Sequence, residues 1–158
     1  RSKLNDSMRM IGKATKDKTL VEWCMIAGVG YRYVVQETSK GTRVPYRLYT
    51  LDPRNTFVIR ANDYSQRVHV AVNYVTDDDG NTIFTAYTED SVFTIQKGSG
   101  KATQSPNAFG LIPIIEYRAN SAMLGSFEIV LTLLDAINDF DCARNEAVEQ
   151  FVQSLLVL

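Results

Sequence analysis

The chain has 158 residues, 45% of them hydrophobic and 22% charged, with a formal net charge of -1. That is the composition of one ordinary globular domain with enough apolar mass for a core, and it excludes a disordered, fibrous or membrane-spanning protein. The most apolar windows, residues 23–30 and 109–117, are too short and too interrupted to cross a bilayer, and no signal peptide is visible. Cys24 and Cys142 stand far apart in no metal or redox spacing, so a reducing compartment and two buried, chemically inert thiols are expected. The start at Arg1 and the apolar finish of Leu155, Leu156, Val157 and Leu158 suggest an internal stretch of a longer protein.

Residues 1–26 read as two short helices, Leu4, Met8 and Ile11 on one face and Leu20, Trp23, Cys24 and Ala27 on another, with a break near Gly12. Bases dominate this start. Arg1, Lys3, Arg9, Lys13, Lys16 and Lys18 outweigh Asp6 and Asp17, but with no interleaved aromatic and no recognition-helix motif they read as a solvated face rather than a phosphate site. Gly28 and Gly30 end the second helix, and residues 31–36 alternate as a strand. A turn at 39–42 leads into a second strand at 46–51, making a hairpin. Leu51, Asp52, Pro53, Arg54 and Asn55 then form a sharp surface turn, with the Asp52 carboxylate capping nearby amides, into a strand at 56–60. Residues 68–75 form another alternating strand, Asp77 to Asn81 a hairpin turn, and residues 82–88 and 91–96 two more strands before a Gly/Ser loop at 98–107. The middle of the chain is therefore expected to be one antiparallel meander of five to seven strands, without internal repeats.

The last third contains a strand and a long helix. Pro113 can open a strand but not sit inside a central ladder, so Ile114, Ile115 and Tyr117 form a short extended segment closed by Arg118, Ala119 and Asn120. A helix of residues 126–155 follows, with Ser126 as N-cap and Glu128 at the positive end of its dipole. No Pro or Gly interrupts it, and at 1.5 Å per residue it would be about 45 Å long. A domain of this size has a diameter of roughly 40 Å, so the helix should overhang its own domain. Its apolar stripe runs through Phe127, Val130, Leu134, Ile137, Val148, Phe151 or Val152, and Leu155, and is broken in the middle by Asp141, Arg144 and Asn145. From Gly125 to the end, six acids (Glu128, Asp135, Asp139, Asp141, Glu146, Glu149) face one base, Arg144, for a net charge of -5; residues 1–124 carry +4, from sixteen bases and twelve acids. Isolated apolar patches on an overhanging acidic helix are most simply covered by copies of the same chain. The fold class is α+β: N-terminal helices, antiparallel β meander, then one long C-terminal helix.

Nothing in this pattern argues for an enzyme, and no catalytic residue, metal site or cofactor is assigned. If Gly80 is aligned with the invariant glycine of a calcium loop, Val75 falls on the first ligand position and Ala86 on the last, so the aspartates at 77–79 do not match. The stretch GSGKAT at 98–103 lacks the first glycine and the hydroxyl of a phosphate loop, since Ile95 and Ala102 stand there. Gly28-Val29-Gly30 follows a helix, not the strand a dinucleotide fingerprint requires. His69, the only histidine, has no serine or cysteine at a motif spacing. Asp135 and Asp139, one turn apart, repel rather than form a substrate pocket.

Four stretches resemble the portal proteins of tailed bacteriophages of the siphophage type and their prophage relatives: CMIAGVGYRYVV, LYTLDPRNTFVI, NAFGLIPIIEYRAN and LLDAINDFDCARNEAVEQF. They run from about Cys24 to Leu158, and the last two, in that order and spacing, are the most specific. The resemblance implies that residues 1–124 are part of a wing-like α+β domain and residues 125–158 a first stem helix leading to a clip region, with the upstream region, clip, second stem helix and crown lying outside this stretch. It implies a dodecameric ring at one capsid vertex of the virion, assembled in the host bacterial cytoplasm, through which double-stranded DNA is packaged by a terminase and later ejected past head-tail adaptor proteins, with no membrane involved. Under that reading Asp135, Asp139, Asp141, Glu146 and Glu149 are candidates to line the channel, although one helix face cannot present all five, and Ile137, Val148 and Val152 are candidates for the subunit interface. A competing reading is a phage or host structural adaptor that binds a protein partner without handling DNA. A third is a metal-dependent nucleic-acid enzyme using the helix acids.

Overall fold

A computed structural model describes residues 2–37 and 44–156; the expected turn at 39–42 lies outside them. Two helices, α1 (Ser2–Met10) and α2 (Lys13–Ala27), are separated at Gly12, as their faces required. α2 stops because Gly28 takes a left-handed φ of 71°, a conformation glycine adopts without the Cβ penalty. Strand β1 (Val29–Gln36) starts immediately after and is the centre of a three-stranded sheet ordered β2-β1-β8, with β2 at Tyr46–Leu51 and β8 at Ile114–Arg118. Both pairings are antiparallel, with Tyr33 opposite Tyr49 on one side and Ile114 on the other. Pro113 sits just outside β8, where its carbonyl accepts a bond from the Val34 amide at 3.0 Å.

The remaining strands form a second sheet, so the expected single meander is corrected to two sheets. β3 (Thr56–Arg60), β4 (Val68–Thr76), β5 (Thr82–Tyr87), β6 (Ser91–Gln96) and β7 (Ala102–Pro106) follow one another in space as in sequence. The chain changes sheets at the Asp52-Pro53 turn. There the Asp52 carboxylate accepts the Arg54 amide at 2.9 Å and its guanidinium at 2.6 Å, while the Asn55 amide donates to the Asp52 carbonyl at 3.1 Å. β7 occupies part of the expected Gly/Ser loop. Gly98 and Gly100 turn the chain with φ of 86° and 63°, and the exposed, polar β7 adds itself to the edge of β6 with Thr103 opposite Thr94.

The core is small. Tyr31, Ala71 and Ile114 are its buried centre, with Val29, Tyr33, Leu51, Val58, Tyr87 and Ile112 packed around them, so residues from both sheets share it. Polar ties cross the same boundary. The Tyr87 hydroxyl donates to that of Tyr33 at 3.0 Å, and the buried Glu116 carboxylate of β8 accepts from Arg60 of β3 and Arg118 of β8, each at 2.6 Å.

After β8 the chain passes through one 3-10 turn (Glu128–Val130) into α3 (Leu131–Leu156). Its 26 residues make a helix about 39 Å long. The architecture is α+β: N-terminal helices, antiparallel sheets, one long C-terminal helix.

Candidate functional site

The root of α3 is fixed by close backbone contacts with the end of α2. The Ser126 amide donates to the Met25 carbonyl at 2.7 Å, which satisfies one of the carbonyls a helix end leaves free. A Cβ at Gly125 would lie 2.2 Å from the Ile26 carbonyl oxygen, and one at Gly28 only 2.1 Å from that of Met123. Two glycines therefore let the segments touch backbone to backbone where no side chain fits. The Ala119 amide donates to the Gly28 carbonyl at 2.9 Å and adds a third tie.

Ser126 is not the N-cap expected from the sequence. Its hydroxyl turns to the Met25 sulfur at 3.3 Å, and the helix starts five residues later, after the 3-10 turn. Glu128 does serve the expected end: its carboxylate accepts the Gly125 amide at 3.2 Å, placing negative charge where the helix dipole is positive.

Beyond this root every described side chain of α3 is exposed. The overhang expected from helix length is what the molecule has. At about 100° per residue, Asp135, Asp139, Glu146 and Glu149 fall within roughly 80° of arc, and the fifth candidate, Asp141, points to the opposite side. Asp141 lies instead 3.8 Å from the Arg144 guanidinium, one turn along, where the two interrupt the apolar stripe. That stripe is wider than the sequence reading had it. Leu133, Leu134, Ile137, Phe140, Val148, Phe151, Val152 and Leu155 occupy about 120° centred opposite the acids, and each is between 44% and 70% exposed. The three interface candidates, Ile137, Val148 and Val152, all belong to it.

Cys142 corrects a further expectation, for it is exposed and by helical spacing stands among the four clustered acids. Cys24 is half-buried with its sulfur 3.6 Å from the Tyr117 carbonyl, and burial pushes its thiol pKa up. No group of three or more histidine, cysteine or acidic side chains that could hold a metal ion occurs among the described residues. Nor is any described helix long and apolar enough to cross a membrane.

A surface the sequence reading did not single out lies beside the root. The outer side of α2 presents Val21, Met25 and Ile26, 48% to 59% exposed, in an open groove of about 680 Å³ that Phe127 continues toward α3. Its signal was available, because Leu20 and Cys24 turn inward while Val21 and Met25 repeat one position later.

No individual match was found among curated proteins. The family model for phage portal proteins, SPP1 Gp6-like, matches residues 4–158, which includes both the two-sheet region and α3. Matched over nearly its whole length, the chain belongs to the phage portal protein family, a family of structural proteins that assemble into oligomeric rings in the virion capsid.

Proposed function

We propose that this chain contributes a wing-like region (residues 1–124) and a first stem helix (residues 125–158) to a portal ring at one capsid vertex, through which double-stranded DNA is packaged and later ejected. The ring is expected to be a dodecamer assembled in the host cytoplasm, engaging terminase, capsid and head-tail adaptor proteins. The observation that carries this reading is α3 itself: a helix exposed on all sides, with acids gathered on one arc and an apolar stripe on the other. Neither arc has a partner within the described chain. In a ring of parallel stems, the acidic arc of Asp135, Asp139, Glu146 and Glu149 turns to the lumen, and the apolar arc opposite it turns away from the channel and is covered by other subunits of the ring wall, its Val152 edge lying toward the stem beside it. Asp141 belongs to the packed side with Arg144.

The chemistry of passage follows from charge. Duplex DNA carries one negative charge per about 1.7 Å of axis, and a basic wall would grip it by counterion release. An acidic wall repels it weakly from every side and lets it slide. Replacing Asp139 and Glu146 together by Lys in the full-length protein should leave ring assembly intact, because exposed charges contribute under about 1 kcal/mol each, and should slow packaging. The brake should fade as salt screens it. A non-DNA adaptor predicts no effect of these substitutions on packaging, and a metal-dependent enzyme predicts a lost catalytic step in place of added DNA adhesion. Substituted rings that package at the unaltered rate in low salt remove these acids from the channel.

A further inference from the structure

We infer that the groove on the outer side of α2 receives the root of the stem helix of the neighbouring copy in the ring. The inference rests on the portal reading and adds the contact that closes the ring. A cyclic assembly of more than two identical chains joins two different patches at each interface, since a self-complementary patch stops at a dimer. The stripe on α3 supplies one patch. The α2 groove, lined by Val21, Met25, Ile26 and Phe127, is a second apolar surface on a different element, and exposed apolar patches of this kind mark interaction sites.

Symmetry narrows what can enter it. Rotation about a ring axis keeps every residue at its own height, so the end of the groove next to Phe127 meets residues of the neighbour near the height of its own Phe127. The exposed apolar residues that follow Phe127 in α3 and its lead-in include Ile129 and Leu133, 70% and 60% exposed, and these are the occupants assigned to the groove. The polar rim points to an apolar occupant too. Asp17 is bonded to Lys13 and, at 2.8 Å, to Arg32, and the exposed Lys18 and Glu22 stand 3.9 Å apart, so the rim mixes both signs and presents no single-sign patch to a nucleic acid or a charged peptide. At about 680 Å³ the groove is within the range of sites that enclose ligands of drug size, about 300–1,000 Å³, and so has room for two or three aliphatic side chains.

Cross-linking of the full-length protein tests this. Val21→Cys and Leu133→Cys are combined with Cys24→Ser and Cys142→Ser, so that no native cysteine of these residues remains, and rings are confirmed by electron microscopy before mild oxidation. Both new cysteines are on exposed positions, and a disulfide needs their Cα atoms within about 7 Å. The expected result is a ladder of covalent multimers on a reducing-agent-free denaturing gel, absent from either single-cysteine variant. Val21→Asp should in addition lower the yield of rings several-fold while leaving the folded subunit's thermal melting unchanged. Intact rings that give no ladder, or only a cross-link within one chain, overturn the contact and leave the portal reading standing. Failure of the unsubstituted protein to form rings at all overturns both.

Discussion

Glu116 joins the two sheets at the scale of single residues. Its side chain is 4% exposed and lies between Arg60 and Arg118 at 2.6 Å each, with the Tyr31 hydroxyl at 3.4 Å. Burial pushes its carboxyl pKa up, but the two guanidiniums outweigh this and hold it below the ordinary glutamate value. Burial also raises the Tyr31 hydroxyl, to about 12, and the nearby Glu116 charge adds to it. A depressed carboxylate contributes stability that is fully present above its unfolded pKa, about 4.3, and lost as pH falls through the lower folded value. Glu116→Gln should therefore cost about 2 kcal/mol at neutral pH, since it leaves two partly buried guanidiniums without their counter-charge, and the cost should shrink below about pH 4. Urea unfolding of wild type and variant at pH 7 and at pH 3 measures both; equal losses at the two pH values would mean that the ion pairs carry none of the effect.

Among the elements, α3 was the most legible in the sequence. The absence of Pro and Gly, and apolar spacing that fits 3.6 residues per turn, fix its existence; its start was misplaced because the Ser126 backbone is held by Met25, 101 positions away in sequence, a contact no capping pattern reports. Strand positions were legible for the same periodic reasons. Their division into two sheets was not, since alternation shows that one face is buried but not in which sheet. β7 escaped because it is exposed on both faces and has no alternation to read. The site was half legible: helical spacing alone separates Asp141 from the other four acids, while the Gly28 and Gly125 contacts at the root became visible only with backbone close to backbone. The apolar arc makes its own prediction. Changing Val148 and Val152 together to Glu in the full-length protein should leave the subunit's circular dichroism and melting unchanged, because both side chains are exposed in the single chain, and should prevent ring formation. Rings that form normally from this variant would show that the arc is not an interface.

For the whole molecule, the small shared core and the long unpartnered helix describe a chain whose described residues leave much of its apolar surface open. Membership of the portal family supplies the reason, because neighbouring subunits in an oligomeric ring can cover what one chain exposes. The charge asymmetry fits the same assembly, with -5 on residues 125–158 and +4 on the rest, as the proposed channel requires its negative charge on the stem. The central claim is that α3 turns its acids toward the channel and its apolar stripe away from it, into the packed wall of the ring. Electron microscopy of the assembled full-length protein tests it most directly. The account predicts a closed ring whose lumen is lined at the stem by Asp135, Asp139, Glu146 and Glu149, with Ile137, Val148 and Val152 buried between subunits; a ring with the apolar stripe or the Asp141–Arg144 pair facing the lumen would contradict it.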